Sequence, residues 1–200
     1  NYNALKNAKL TSALEKGAIT TSPTLELKTA VTSANVIPLY RNSATLNGNL
    51  TINADYLNVR DLTVAKNVSF SSRTQNYFTG DSLNIKGSTT LNDYTTPTNR
   101  TLNFTFNNST LNTVNLAKSN TNFTLSNKSF AQSISMKANG TFRTNDTARV
   151  NEVSLEGSLS EAAIYSNVPK LSVSTSRDVT LNGTVTFTNF NILTNRLVTI

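Results

Sequence analysis

The sequence contains no cysteine, no histidine and no tryptophan. Without cysteine there is no disulfide framework. Without cysteine or histidine the usual ligands of zinc, haem iron and copper are missing. The same absences exclude a Ser-His-Asp triad and a Cys-His dyad. Proline (4) and glycine (7) are too scarce in 200 residues for a flexible linker. Charged residues make up 14% of the chain, against about a quarter in an average globular domain. No apolar run approaches the roughly 18 residues that a membrane-spanning helix needs.

Small polar residues fill the gap. There are 30 Asn, 32 Thr and 22 Ser, 84 of the 200 residues. Hydrophobic residues are 37%, a composition that invites disorder unless the apolar residues are patterned. The net charge is +7, from 18 Lys and Arg against 11 Asp and Glu. The basic residues run singly from Lys6 to Arg196 with no cluster of three. A nucleic-acid binder concentrates them on a patch, so no nucleic-acid partner is expected. A diffuse positive charge would suit an anionic cell surface. The chain begins Asn1-Tyr2-Asn3, without Met or a signal peptide, and ends on the strand-like Leu197-Val198-Thr199-Ile200. These ends suggest a mature or excised segment of something larger.

The apolar residues are patterned. From about residue 60 an apolar, small-polar, apolar signature recurs: Leu62-Thr63-Val64, Leu83-Asn84-Ile85, Val114-Asn115-Leu116, Ile134-Ser135-Met136, Val153-Ser154-Leu155, Leu171-Ser172-Val173 and Phe190-Asn191-Ile192. Their first residues are spaced 21, 31, 20, 19, 18 and 19 apart. The long gap predicts an insertion of about eleven residues near 92–103. Three places after each second anchor stands Asn or Ser: Asn67, Ser88, Ser119, Asn139, Ser158, Ser176 and Asn195. Leu50-Thr51-Ile52 has the same start but reads as out of phase.

Such alternation describes a strand with one buried face. A strand of three to five residues cannot bury that face alone, whereas one copy per turn of a coil can. Asn and Ser at the corners tolerate left-handed conformations and bond to nearby backbone. Stacked Asn side chains form amide ladders. The expectation is an all-β parallel β-helix with about 18–21 residues per rung, seven rungs covering roughly 30 Å of axis. A second strand follows each corner, carrying Val68 and Phe70, Leu91, Phe123 and Leu125, Phe142, and Val179 and Leu181. Column alignment predicts ion pairs of Glu156 with Lys137 and of Glu152 with Lys170. A β-sandwich also suits short alternating strands, although a near-constant period is not expected of antiparallel strands.

Residues 42–200 read as the coil. Residues 1–41 read as an N-terminal cap or irregular rung, covering an otherwise open sheet edge. Tyr2, Leu5, Leu10, Ala13 and Leu14 suit a short amphipathic helix closed by Gly17. Leu25-Glu26-Leu27 and Val36-Ile37-Pro38-Leu39 read as strands.

No catalytic site, metal site or cofactor is expected. Glu152 and Glu156 sit about 13 Å apart on an extended strand, too far for a glycosidase pair. Asp55 with Asp61, and Asp178 with Arg177, form no better constellation. Eleven Asn-x-Ser/Thr sequons occur, little more than the composition itself generates. The binding candidates lie on two excursions from the coil, 73–78 and 92–100. Arg73, Tyr77, Phe78, Tyr94 and Arg100 supply the arginine and aromatic chemistry of contact surfaces. Tyr77 and Phe78 could equally cover the coil.

The anchor-corner-second-strand pattern, clearest in Val114-Asn115-Leu116-Ala117-Lys118-Ser119-Asn120-Thr121-Asn122-Phe123-Thr124-Leu125, resembles passenger segments of type V secreted proteins. These are the autotransporters and filamentous-haemagglutinin-like adhesins. The Asn/Thr-rich, basic character is most similar to the vacuolating-cytotoxin-like autotransporters. The low glycine content departs from the haemagglutinin-like adhesins. The resemblance implies a right-handed parallel β-helix, exported and exposed at the bacterial cell surface or released. It implies a virulence-type adhesin or toxin segment that meets a host-cell protein or glycan, without its translocating barrel. No catalytic residue carries over. The alternatives are a subunit or spacer of an extracellular fibre, self-associating through its ends, and a tailspike-like carbohydrate-binding β-helix.

Overall fold

The computed structural model describes residues 24–28, 37–39, 44–53, 56–70, 77–91 and 101–200. These residues form strands and turns and no helix. The strands stack as a parallel β-helix of about seven turns. Every pairing is parallel and joins one rung to the next, as in Phe104 opposite Phe123 and Phe123 opposite Phe142. The antiparallel sandwich is thereby excluded for the described residues.

Three columns of strands make the wall. The first runs through Tyr77–Leu91 at its head, Leu102–Asn107, Thr121–Ser126 and Gly140–Thr144. The second is short and carries Leu62, Leu83, Leu111, Ala131 and Val150 at its inward positions. The third runs through Leu50, Val68, Thr89, Val114, Ile134, Val153, Leu171 and Phe190. Alternation then sorts the side chains. In Leu102–Asn107 the residues Leu102, Phe104 and Phe106 are buried while Asn103, Thr105 and Asn107 are not.

Aromatic rings fill the interior behind the first column. Phe78, Phe104, Phe123 and Phe142 stand on successive rungs, all buried. Phe123 and Phe142 stack at 5.5 Å between centroids, and Phe70 meets Phe78 and Phe104 edge-on at 4.6 and 4.9 Å. Both geometries are favourable for aromatic pairs. Gly80 lies opposite Phe106. A Cβ there would approach the Leu83 side chain to 2.6 Å and the Phe106 ring to 3.1 Å, so the glycine makes room for the ring.

The corner between the first and second columns is a left-handed bend. Asp61, Ser82, Asn108, Asn127 and Asp146 occupy it on successive rungs, with φ of 53, 56, 49, 56 and 57°. Asn and Asp adopt this conformation at the least cost among residues with a side chain. Buried serines follow the bend. Leu83 N donates to Ser109 Oγ at 3.1 Å, and Ser109 N donates to Ser129 Oγ at 3.0 Å. Ser129 Oγ in turn donates to the Phe106 carbonyl at 2.9 Å. Backbone groups that leave the ladder inside the wall thus find partners.

The register corrects three expectations. Leu62-Val64 and Leu83-Ile85 belong to the second column, whereas the five later anchors belong to the third. Leu50-Thr51-Ile52 is in phase with those later anchors, through Val68-Phe70 and Thr89-Leu91. Most rungs keep the expected length, but Phe142 pairs 22 residues on with Ile164 and Phe78 pairs 26 on with Phe104. The supposed eleven-residue gap compared different columns. The real excess is smaller and falls between Leu91 and Leu102, where residues 92–100 lie outside the described ones. A bulge between Ile85 and Ser88 absorbs part of the mismatch.

Thr24–Lys28 and Ile37–Leu39 extend the stack, with Leu25 opposite Leu50 and Ile37 opposite Leu57. Pro38 falls in the outermost described strand of its column, where a missing N–H is tolerated. The helix expected over residues 2–17 lies outside the described residues.

Two hydroxyls make a controlled comparison. Thr89 is fully buried in the apolar third column, between Val68 and Val114, and its hydroxyl has no partner. Thr89→Val keeps the shape and removes an unsatisfied group, so it should stabilise the fold by about 1–3 kcal/mol in urea unfolding. Ser129→Ala removes a buried hydroxyl with partners on both sides and should destabilise by a similar amount. Equal effects of the two variants would refute the assignment of these side chains.

Candidate binding surface

The outer wall is built from stacked small polar side chains. On the third column Thr51, Ser69, Thr90, Asn115, Ser135, Ser154, Ser172 and Asn191 follow one another in register. At the corner leading into that column, Asn49 Oδ1 accepts from Asn67 N at 3.0 Å. Asn67 Oδ1 then accepts from Ser88 N at 2.9 Å and Ser88 Oγ at 3.1 Å. The expected ladder of Asn67 and Ser88 is present. The later members are arranged differently. Asn139 bonds to Ser160 rather than Ser158, because the rung between them is longer.

Asn139 makes the densest set of these bonds. Its Oδ1 accepts from Ser160 N at 3.0 Å and from Glu161 N at 3.1 Å, and its Nδ2 donates to Ser160 Oγ at 3.2 Å. Other asparagines join neighbouring rungs in the same way. Asn122 Nδ2 donates to Asn103 Oδ1 at 3.1 Å and Asn127 Nδ2 to Asn107 Oδ1 at 3.4 Å. Asn103, Asn107, Asn122, Asn127 and Asn139 all head sequons. Their amides work as structural links between rungs, which accounts for them without glycosylation.

Two ion pairs on the wall join neighbouring rungs. Lys170 Nζ lies 3.6 Å from Glu152 Oε2, as column alignment predicts, and Arg60 lies 3.1 Å from Asp81. Glu156 differs from expectation: it accepts from Ser135 Oγ at 2.7 Å. Exposed pairs of this kind contribute little, about 0–1 kcal/mol each. Among the described residues no three acidic side chains gather where a metal ion could be held.

The five candidate contact residues are not brought together within the described structure. Arg73, Tyr94 and Arg100 lie outside the described residues. Tyr77 is 57% exposed at the start of its strand, opposite Asn103. Phe78 is only 2% exposed and packs against Phe70 and Phe106. It is a core residue, because strand alternation sends it inward when Tyr77 points out. Phe78 is therefore withdrawn from the contact set.

The sequence reading missed a concave strip on the outer face of the first column. Two adjoining hollows of about 240 and 300 Å³ share Asn122 and Thr141. Arg143 and Tyr165 line one of them, and Glu161 the other. Arg143 lies over the Tyr165 ring, 4.4 Å from its centroid, a favourable cation–π geometry. Their sequence separation of 22 residues gives no local motif. Only the register places them side by side.

Comparison with known proteins finds no family model that matches the chain, no similar curated protein and no similar solved structure.

Because Asn139 ties two rungs through both atoms of its amide, Asn139→Ala should cost about 1–3 kcal/mol. Asn139→Asp, which keeps the acceptor, should recover part of that loss. Urea unfolding of the two variants tests this, and an Asp variant no better than Ala would overturn the acceptor role.

Proposed function

We propose that this chain is a surface-exposed or secreted bacterial passenger segment of adhesin or toxin type, whose β-helix presents contact surfaces to host cells. The observation that carries the reading is the rigid parallel stack with an uncharged Asn/Ser/Thr wall along several rungs. Such a scaffold holds side chains and loops in fixed positions over a long surface, which favours binding by lowering the ordering cost on contact. The resemblance of the repeat to type V passengers points the same way. Tyr77, with Arg73, Tyr94 and Arg100 of the neighbouring excursions, supplies the loop part of the proposed contact.

A second reading is a subunit or spacer of an extracellular fibre. A second copy that continued the parallel stack would join head to tail, a heterologous contact that produces filaments.

Labelled protein applied to host epithelial cells separates the two readings. Saturable binding, weakened about tenfold by Tyr77→Ser, Tyr94→Ser and Arg100→Ser together with circular dichroism unchanged, supports the passenger reading. Absence of saturable binding by the folded protein overturns it. Concentration-dependent filaments in sedimentation would then support the fibre.

A further inference from the structure

Surface concavity on a β-helix needs a cause, because regular stacking gives a flat wall. Here the outward row of Asn103, Asn122 and Thr141 continues in Ala163, whose side chain is small. Gly140 lies at the rim, in register with buried Thr121 and Ala162, and a Cβ there would come within 2.8 Å of the Thr121 carbonyl oxygen. The two hollows adjoin across Asn122 and Thr141, which line both, and together make a trough. From Asn103 through Asn122 and Thr141 to Ala163 the trough crosses four consecutive rungs, about 14 Å at roughly 4.8 Å per rung. The combined space falls within the range of small-ligand sites.

The groups that face it are fixed before any ligand arrives. Asn122 donates one N–H to Asn103 Oδ1, which sets its amide plane and leaves further amide donor and acceptor capacity at the wall. Glu161 accepts from Asn182 Nδ2 at 2.8 Å, which holds its carboxylate at one edge. Arg143, held over Tyr165, sets a planar fork of N–H donors at the other edge. Tyr165, 37% exposed, contributes an aromatic edge. Between them stand amides and hydroxyls. One carboxylate and one guanidinium balance each other, and no row of basic residues exists for a phosphate backbone. No buried apolar anchor pocket of the kind that dominates protein interfaces opens here.

Carboxylate, guanidinium and amide groups suit paired neighbouring hydroxyls, each able to donate and accept. The rung spacing is close to the length of one sugar ring along an extended chain. We propose that this trough binds an uncharged oligosaccharide of three or four sugars lying along the β-helix axis. The inference deepens the host-contact reading by naming a glycan and a location for it, and it rests on that reading only for its biological setting.

The test is binding of the purified protein to immobilised neutral and carboxylate-bearing oligosaccharides, followed by titration of the best ligand. Ala163→Gln fills the trough from a surface position. Arg143→Ala and Tyr165→Ser remove the edge, and each variant is checked by circular dichroism and thermal unfolding. The expected result is neutral-oligosaccharide binding that weakens tenfold or more in Ala163→Gln and in Arg143→Ala. Hydrogen exchange should slow at 121–124 and 140–143 when the glycan is added. No oligosaccharide binding by the intact protein, binding limited to carboxylate-bearing sugars, or binding unchanged in folded Ala163→Gln would overturn the proposal. Cell binding is read alongside. Cells bound equally by Ala163→Gln and the intact protein, with no glycan captured, would overturn the trough and leave host contact standing. Glycan capture without cell binding would support the trough and overturn host contact.

Discussion

Most strands of this chain carry no more than two or three inward apolar side chains, too few to offset the loss of backbone freedom on ordering them. Their hydrogen bonds and their buried faces both come from the rungs before and after. Parallel stacking of successive rungs is therefore the constraint on which everything else depends. It demands that apolar residues return to the same column at each turn, as Val114, Ile134, Val153 and Leu171 do. Stability is distributed in consequence: each rung is held by its neighbours, and the buried side chains of the described rungs form one continuous core along the stack.

The unusual composition follows from this constraint. Each turn has corners where the chain must bend sharply and where backbone groups leave the ladder. Asp61, Asn108, Asn127 and Asp146 take the left-handed bend, and the hydroxyls of Ser109 and Ser129 satisfy the interior groups beside it. Outside, small polar side chains at matching positions hydrogen-bond to the copy above or below. Long charged side chains would crowd at rung spacing and repel their own repeats, which accounts for their scarcity, and Arg60–Asp81 and Glu152–Lys170 set opposite charges on neighbouring rungs. Abundance of Asn, Ser and Thr is the outcome of fold, turn by turn.

The same regularity makes departures informative. Where the outward row of the first column reaches the small side chain of Ala163, the wall is concave, and Arg143 and Tyr165 meet at its margin. The longest rung between described residues runs from Phe78 to Phe104.

The repeat and its apolar-polar alternation were enough to establish the parallel coil and its approximate rung length, because column stacking writes a period directly into the sequence. The Glu152–Lys170 pair was legible for the same reason. Column membership was not. Leu83-Asn84-Ile85 and Val114-Asn115-Leu116 look alike, since every column asks for the same local pattern, yet they lie on different columns. Phe78 looked like a surface aromatic until alternation from an exposed Tyr77 sent it inward. The trough was invisible in sequence because Asn103, Asn122, Thr141, Arg143 and Tyr165 share no local motif. Composition and period determined that this chain coils. Rung lengths, which vary with each corner and bulge, decided which side chains became neighbours.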